Sequence, residues 1–163
     1  LHSLMDLVRA SLQDVRKIIF DLRPMSLDDL GLVPALKRYV EQYTRDNNIY
    51  VEITVLGEEY DIPSSLVIAI FRVIQESMTN VRKYANATEV VIKIEYLSDR
   101  INVVIRDNGK GFDVEKVLSE KNGVAFGIVG MRERIQLLKG KFEVKSVIGK
   151  GTEVIISVPN KKQ

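Results

Sequence analysis

The order of helical and strand patterns constrains the fold of this chain more than any other sequence feature. Five segments have the apolar alternation or the β-branched residues typical of strands, namely YVEITVL, EVVIKIEYL, RINVVIRD, KFEVKSV and GTEVIISVP. Helical patterns precede the first strand, and they separate the first strand from the second and the third from the fourth. Because helices and strands mix without strict alternation, this order predicts an α+β protein. We expect a two-layer α/β sandwich in which a mixed or antiparallel sheet carries helices on one face.

Proline and glycine mark the ends of the predicted helices. Pro24 ends the first helix, because proline disfavours helical geometry in the residue before it. Pro63 suits the first position of a later helix, and Gly140 suits a helix C-terminus. The predicted helices cover residues 1–23, about Val33–Asp46, Pro63–Ala85 and residues 131–139, whereas the glycine-punctuated residues 109–130 are predicted to be irregular.

The first predicted helix has an apolar seam that it cannot bury alone. The seam residues alternate spacings of four and three: Leu1, Met5, Val8, Leu12, Val15, Ile19 and Leu22. Such a seam predicts partner helices, so we expect residues 1–24 to belong to a helical bundle and residues 25–163 to form a separate domain. Packing of this helix on its own domain is the alternative. Because the chain begins with Leu directly inside this pattern, we interpret it as a piece of a longer protein.

Composition and charge exclude several classes of protein. The chain has 163 residues, about one domain with room for an extra element, and 45% of them are apolar. The absence of cysteine from the sequence excludes disulfides and thiolate metal sites. A net charge of +2 is too small to indicate nucleic acid, and no apolar run approaches the roughly 20 residues that span a bilayer. We therefore expect neither a nucleic-acid partner nor membrane contact by this chain.

Polar side chains follow one flank of the predicted helix FRVIQESMTNVRKYANAT. Glu76, Asn80 and Lys83 lie about one turn apart on that flank. A carboxylate and an amide oxygen at this spacing suit a Mg²⁺ ion that keeps most of its waters and also holds substrate phosphates. Lys83 could contact those phosphates. Such a row is more often a solvated helix edge, so this motif alone does not establish a site.

Three glycine motifs follow along the chain. In VVIRDNGKGF an apolar strand ends at Asp107, and Gly109 and Gly111 allow the backbone to approach a ligand closely. In GIVGMRERI, Gly127 and Gly130 precede the predicted helix start, where backbone N–H groups form an anion site. The third motif is GKGTEV. Ordinary turns and loops are the alternative for each motif, and the chain contains neither a dinucleotide-binding glycine fingerprint nor a Walker A sequence.

The order of these motifs is specific, although each motif alone is weak. Asn80 in NVRKYA, then DNGKGF, GIVGMRER and GKGTEV resemble the N, G1, G2 and GT boxes of the GHKL ATPases. More narrowly, RPMSLDDLGLVPALKRYV resembles the linker and first helix of the two-component sensor histidine kinases that pair with LuxR-type response regulators, in particular the DegS-like group. The resemblance covers nearly all of the chain. It implies the Bergerat (GHKL) fold, with ATP and Mg²⁺ as ligands.

The resemblance implies a role for each matching polar residue. Asn80 would supply an oxygen to Mg²⁺, Glu76 would polarise a water or the metal shell, and Lys83 would contact phosphate. Asp107 would accept a hydrogen bond from the exocyclic amine of adenine, which selects adenine over guanine. Thr152 would support Asp107 and the adenine through a water.

The same resemblance assigns the glycine motifs and a lid. The DNGKGF loop would close on the base, and the GIVGM segment would anchor a mobile lid over residues 113–126 and expose N–H groups to phosphate. The residues that these motifs place in the nucleotide site are Gly109, Gly111, Gly127, Ile128, Gly130 and Met131. Tyr84 stands where the family usually has histidine, so a nucleotide contact by Tyr84 would be a departure from the family pattern.

The resemblance also implies a function and partners. The chain would be the ATP-binding catalytic domain of a cytoplasmic sensor histidine kinase, which phosphorylates a histidine that then passes the phosphoryl group to an aspartate of a LuxR-type response regulator. Residues 1–24 would be the end of the second helix of a homodimeric bundle, and the acceptor histidine would precede this chain. His2, the only histidine, lacks the acid that follows the family's acceptor. A serine kinase of the anti-sigma type and a non-catalytic nucleotide-sensing module are the alternatives.

Overall fold

The structure of the chain is a computed structural model that describes Met5 and residues 31–120 and 123–160. Apart from Met5, the predicted bundle helix of residues 1–23 lies outside the described residues, and so does His2. The bundle helix and the domain boundary after residue 24 therefore stay predictions.

The described residues form helices, one π-helical turn and a five-stranded sheet. The helices are α1 (Leu32–Asn47), α2 (Ser64–Asn80), α3 (Val114–Ser119) and α4 (Gly123–Leu137), and a π-helical turn (Val81–Ala85) continues α2. The strands are β1 (Tyr50–Leu56), β2 (Glu89–Tyr96), β3 (Arg100–Asp107), β4 (Lys141–Val147) and β5 (Gly151–Pro159). The predicted strands and the helices predicted for α1 and α2 agree with these bounds to within a residue or two. None of the described helices combines the length and the apolar character needed to cross a bilayer.

The sheet is mixed, with the strand order β1-β2-β3-β5-β4. β1 pairs with β2 in parallel, because α2 lies between them in the sequence and returns the chain to the same end of the sheet. The other strand pairs are antiparallel. Arg106 pairs with Glu153, so the end of β3 lies beside the start of β5. This register places the DNGKGF and GKGTEV motifs next to each other.

The helices cover one face of the sheet, as the order of elements predicts. Alternate residues of the central strands point toward the helices and are buried, including Ile92, Val103 and Ile156. The opposite face carries cross-strand rows of mixed charge, such as Glu52, Val91, Arg106, Glu153 and Lys145. Within the described residues, the side chains of this row are exposed or partly exposed. The two-layer α+β architecture is therefore confirmed.

Helix α2 lies in the centre of the core. Phe71, Ile74 and Met78 are fully buried and recur at helical spacing, and the Phe71 ring packs against Tyr39 of α1. Burial of side chains of this size contributes about 1.5–3 kcal/mol each. Tyr43 of α1 donates a 2.9 Å hydrogen bond to the Met78 carbonyl, and burial raises the pKa of Tyr43 to about 12. These contacts fix the end of α2 that carries the predicted polar row.

The prediction that residues 109–130 are irregular is wrong. Helices α3 and α4 occupy much of this stretch, and α4 begins at Gly123 rather than at Met131. The apolar residues Ala125, Ile128 and Met131 recur at helical spacing and are buried along α4. A glycine inside a helix costs about 0.5–1 kcal/mol relative to alanine, so burial of this apolar face outweighs the glycines that suggested a loop.

Candidate functional site

A cavity of about 110 Å³ lies between the sheet and helices α2 and α4. Its walls are mostly apolar and include Ile105, Ile128 and Val144. The polar and charged residues that line it are Ser77, Asn80, Tyr84, Asp107, Lys110 and Thr152. Asp107 and Lys110 are the only charged residues among the lining residues that the structure describes. Apolar walls with a few convergent polar groups are typical of sites that bind a small organic molecule.

Asp107 is the buried carboxylate of this cavity. It is the last residue of β3, and only 7% of it is exposed. Burial raises the pKa of Asp107, whereas hydrogen bonds from the backbone N–H groups of Gly109 and Thr152 lower it. The Gly109 bond to Oδ1 measures 2.7 Å. The carboxylate is thus held by two donors of the protein while its residue lines the cavity, where it can accept further hydrogen bonds from a ligand.

The loop after Asp107 is seated closely on two neighbouring segments. A Cβ at Gly109 would lie 2.5 Å from the Ala85 carbonyl oxygen, and Lys110 donates a 2.8 Å backbone hydrogen bond to that same oxygen. Gly111 has φ +61°, and a Cβ there would overlap the Val147 carbonyl. Both glycines therefore serve contacts between backbones of the protein. Gly111 also lines the cavity, but Gly109 is not among the lining residues.

Glu76 and Asn80 converge on one glycine of α4. A Cβ at Gly127 would lie 2.5 Å from Glu76 Oε1 and 3.6 Å from Asn80 Nδ2, so a larger residue there would displace the end of the Glu76 side chain while still fitting beside Asn80. Asn80 lines the cavity, whereas Glu76 lies beside it. The described residues contain no group of three or more His, Asp or Glu side chains that could hold a metal alone. The pair fits Mg²⁺ binding, which needs only one or two protein ligands besides waters and phosphates.

The predicted anion site at the GIVGM segment is not at a helix N-terminus. Gly127 and Gly130 lie inside α4, where backbone N–H groups bond to carbonyls four residues earlier. Their N–H groups are therefore not free for phosphate. The expectation that Gly127 and Gly130 precede a helix and expose N–H groups is wrong for this structure. The surroundings of Gly130 are open, with no atom within 4 Å of a Cβ built there. Ile128 and Met131 are buried and line the cavity from α4.

Lys83 and Tyr84, which lie in the π-helical turn that continues α2, differ in their position relative to the cavity. Lys83 is exposed and is not among the residues that line the cavity. Tyr84 lines the cavity and is 43% exposed, so it lies at the rim. Its hydroxyl lies 3.4 Å from the position of a Cβ at Gly123, the first residue of α4. Tyr84 thus approaches the segment over which the lid was predicted.

The predicted lid, residues 113–126, is helical over much of its described part. Asp113 caps α3 by accepting a 3.0 Å hydrogen bond from the Lys116 N–H. Val117 of α3 and Val124 of α4 line the cavity. The lid segment therefore supplies apolar contacts to the site.

Sequence reasoning missed several residues at the site. Lys110 is the cationic residue that lines the cavity. Its position between Gly109 and Gly111, in a loop predicted to approach a ligand, is a sequence signal that could have identified it. Phe112 also lines the cavity. Ser146 of β4 bonds through its hydroxyl to Phe112, Gly151 and Thr152. No sequence pattern marks Ser146, because Gly151 and Thr152 meet it through the pairing of β4 with β5 and Phe112 comes from the loop after β3.

Solved structures of histidine kinases have the same fold. The histidine kinase domain of the blue-light activated histidine kinase EL346 from Erythrobacter litoralis superimposes with a TM-score of 0.60 at 21% identity, covering 79% of this chain and 61% of that one. The mycobacterial sensor histidine kinase MprB superimposes with a TM-score of 0.57 at 18% identity, covering 78% of this chain and 93% of that one. At these identities the likeness shows the fold.

Curated relatives are more similar in sequence. The signal transduction histidine-protein kinase/phosphatase DegS of Brevibacillus brevis is 44% identical over 159 residues, which are 98% of this chain and 40% of that protein. DegS of Bacillus subtilis is 40% identical over 140 residues, which are 84% of this chain and 36% of that protein. The chain thus spans well under half the length of these relatives.

A family model accounts for the part of the chain that forms the cavity. The model of the histidine kinase-, DNA gyrase B- and HSP90-like ATPases matches residues 66–162, which run from α2 to just beyond the end of β5. More than half of the chain is matched, and the match includes the buried Asp107 and the convergent Glu76 and Asn80. The chain therefore belongs to the family of histidine kinase-, DNA gyrase B- and HSP90-like ATPases.

Proposed function

We propose that this chain binds ATP in the cavity and serves as the phosphoryl-donating domain of a sensor histidine kinase. The observation that carries the proposal is the Asp107 carboxylate, buried at one end of an otherwise mostly apolar cavity. Such a group accepts a hydrogen bond from an exocyclic amine while the apolar walls contact the faces of a flat ring. Adenine offers both features.

The proposal gives each polar residue a distinct task. Asp107 orients the base, and the carbonyl oxygen of the Asn80 side chain is the proposed ligand of Mg²⁺, with Glu76 beside it. When bound, Mg²⁺ supplies neutralisation of the charge on the phosphates. We assign to Tyr84, at the rim, the donation of a hydrogen bond to a phosphate oxygen. Lys83 is exposed, so a phosphate contact would require its long side chain to turn toward the site.

We infer the partners from the named relatives and from the sequence motifs. DegS of Brevibacillus brevis is a histidine-protein kinase/phosphatase. By that similarity we infer a histidine acceptor elsewhere in a longer protein. From the resemblance of RPMSLDDLGLVPALKRYV to the kinases that pair with LuxR-type regulators, we infer a LuxR-type response regulator as the next acceptor and a homodimer through the predicted bundle helix of residues 1–24. We also infer a cytoplasmic location, where ATP is available.

Titration calorimetry with ATP and Mg²⁺ tests the binding proposal. We expect wild-type protein to bind ATP, and Asp107→Asn to weaken ATP binding by about 10- to 100-fold, since a hydrogen bond to a charged group contributes about 1.5–3 kcal/mol. Asp61→Asn, the same change at an exposed position of the loop before α2, is the matched control and should bind normally. Equal affinities of wild type and Asp107→Asn would overturn the assignment of the base.

Incubation with γ-labelled ATP and Mg²⁺ tests the proposed place of the acceptor. We expect no acid-labile, base-stable label on this chain, because His2 is its only histidine and lacks the neighbouring acid of the acceptor motif. Label of that type on the chain, lost in His2→Ala, would contradict the proposal that the acceptor lies elsewhere.

A further inference from the structure

The hydroxyl of Ser146 contacts three polar groups at the edge of the cavity. Its oxygen accepts a 2.9 Å hydrogen bond from the Phe112 backbone N–H. It lies 3.1 Å from the Gly151 carbonyl oxygen, to which it can donate. It also lies 2.9 Å from Thr152 Oγ1, and there either hydroxyl could be the donor.

The number of available protons decides whether the Ser146 or the Thr152 hydroxyl donates in the bond between them. A serine hydroxyl has one proton to give and two lone pairs with which to accept. If Ser146 donates to Gly151, it accepts from Phe112 and from Thr152, and all three contacts are hydrogen bonds. If Ser146 donates to Thr152 instead, two acceptor oxygens face each other at 3.1 Å with no proton between them. The first arrangement makes one more hydrogen bond and avoids this repulsion.

The preferred arrangement fixes the polarity of Thr152, which lines the cavity. Because its only hydroxyl proton points to Ser146, Thr152 presents lone pairs to a ligand or to a water in the cavity. Its backbone N–H, meanwhile, bonds to the Asp107 carboxylate. The Thr152 hydroxyl and the Asp107 carboxylate then both offer hydrogen-bond acceptors to a ligand in the cavity.

We propose that Ser146 is a positioning residue for base selection. Ser146 accepts the hydrogen bond that the Thr152 hydroxyl donates, so this part of the cavity favours a base with a hydrogen-bond donor at its six-position. The inference rests on the proposed ATP function and extends it to a residue outside the sequence motifs. Adenine has an amine at its six-position and a bare ring nitrogen beside it. Hypoxanthine has a carbonyl oxygen and a protonated nitrogen at these places. The amine of adenine can donate to Thr152 or Asp107, whereas the carbonyl oxygen of hypoxanthine cannot bond to either while both act as acceptors.

The experiment compares the affinities for ATP and inosine triphosphate, which differ only at these two places of the base. We expect wild type to prefer ATP. Ser146→Ala frees the Thr152 hydroxyl to rotate and donate, so the ATP preference should fall by about tenfold, the effect of one hydrogen bond. Ser146→Thr keeps a hydroxyl at this position and should restore the preference. The matched control is Ser157→Ala, whose side chain lies on the opposite face of the sheet and should leave both affinities unchanged.

A double-variant cycle separates positioning from a general structural effect. If Ser146 acts through Thr152, then Ser146→Ala in a Thr152→Val background should not change the ATP preference further. Equal weakening of both nucleotides by Ser146→Ala, or additive changes in preference, would overturn the inference. If Ser146→Ala does not fold, the nearly isosteric Ser146→Cys, which is a weaker acceptor, is measured in the same way.

The same data distinguish this inference from the proposed function. Failure of wild type to bind ATP would refute the proposed function, and the inference with it. ATP binding by wild type together with an unchanged ATP preference in Ser146→Ala would refute the inference alone.

Discussion

At the scale of single residues, Asp107 shows how one side chain balances opposing effects. Burial disfavours its ionised form and raises its pKa, and the N–H groups of Gly109 and Thr152 offset part of that effect. The result is a carboxylate kept in an apolar cavity at some cost to stability. Asp107 is thus better explained by a ligand that it binds than by any contribution to folding.

This balance predicts how the stability of the nucleotide-free protein depends on pH. A raised pKa means that folded protein holds the Asp107 proton at pH values where unfolded protein, with a pKa near 3.9, has lost it. The contribution of Asp107 to the free energy of unfolding therefore falls as pH rises through this window. Asp107→Asn does not titrate at this position. Urea denaturation of both proteins should show the variant gaining stability relative to wild type from acid to neutral pH, and a constant or shrinking difference would contradict the assignment.

At the scale of elements, α4 illustrates the different uses of glycine. Both Gly127 and Gly130 lie inside this helix, but they have different surroundings. Gly127 faces Glu76 and Asn80 of α2, whereas Gly130 faces open space. Of these two glycines, only Gly127 therefore lies where a Cβ on α4 would meet side chains of α2.

Alanine substitutions at these two positions form a matched pair. Gly130→Ala should raise the free energy of unfolding by about 0.5–1 kcal/mol, because alanine is the better helix former and nothing obstructs its Cβ. Gly127→Ala should raise the free energy of unfolding less than Gly130→Ala does, or lower it. The reason is that its Cβ would come within 2.5 Å of Glu76 Oε1 and displace that side chain. Chemical denaturation of the two variants checks this, and equal gains would show that Gly127 does not limit the approach.

At the scale of the whole molecule, the cavity depends on both layers. Asp107 and Thr152 come from the sheet, Asn80 and Met131 from the helices, and Val117 from the lid segment. A ligand bound there contacts both layers at once, so it can bind only the folded chain. Binding should therefore stabilise the whole domain rather than one element.

We expect ATP to stabilise the protein against unfolding and Mg²⁺ to increase that effect. At an ATP concentration of about 100 times Kd, the free energy of unfolding should rise by about 2.7 kcal/mol. Asn80→Ala should lose the increment that Mg²⁺ adds, because the proposed ligand oxygen is gone, but it should keep the stabilisation by adenosine, which has no phosphates. Thermal unfolding with ATP in Mg²⁺ or in EDTA, and with adenosine, measures these differences. Undiminished Mg²⁺ dependence in Asn80→Ala would exclude Asn80 as the proposed ligand.

The sequence by itself determined the fold class, the strands, two of the helices and four of the polar residues that line the cavity, which are Asn80, Tyr84, Asp107 and Thr152. These features depend on local periods and on turns, so Asp107 could be placed at the end of a strand and Asn80 on a helix flank without tertiary information. Only the tertiary structure decided that α4 begins at Gly123, that Lys83 is exposed and that Ser146 meets Thr152. Those outcomes depend on burial of an apolar face against another layer and on pairing between strands. The physical reason is that such contacts join residues that are distant in sequence, so the local pattern around one residue does not identify its partner.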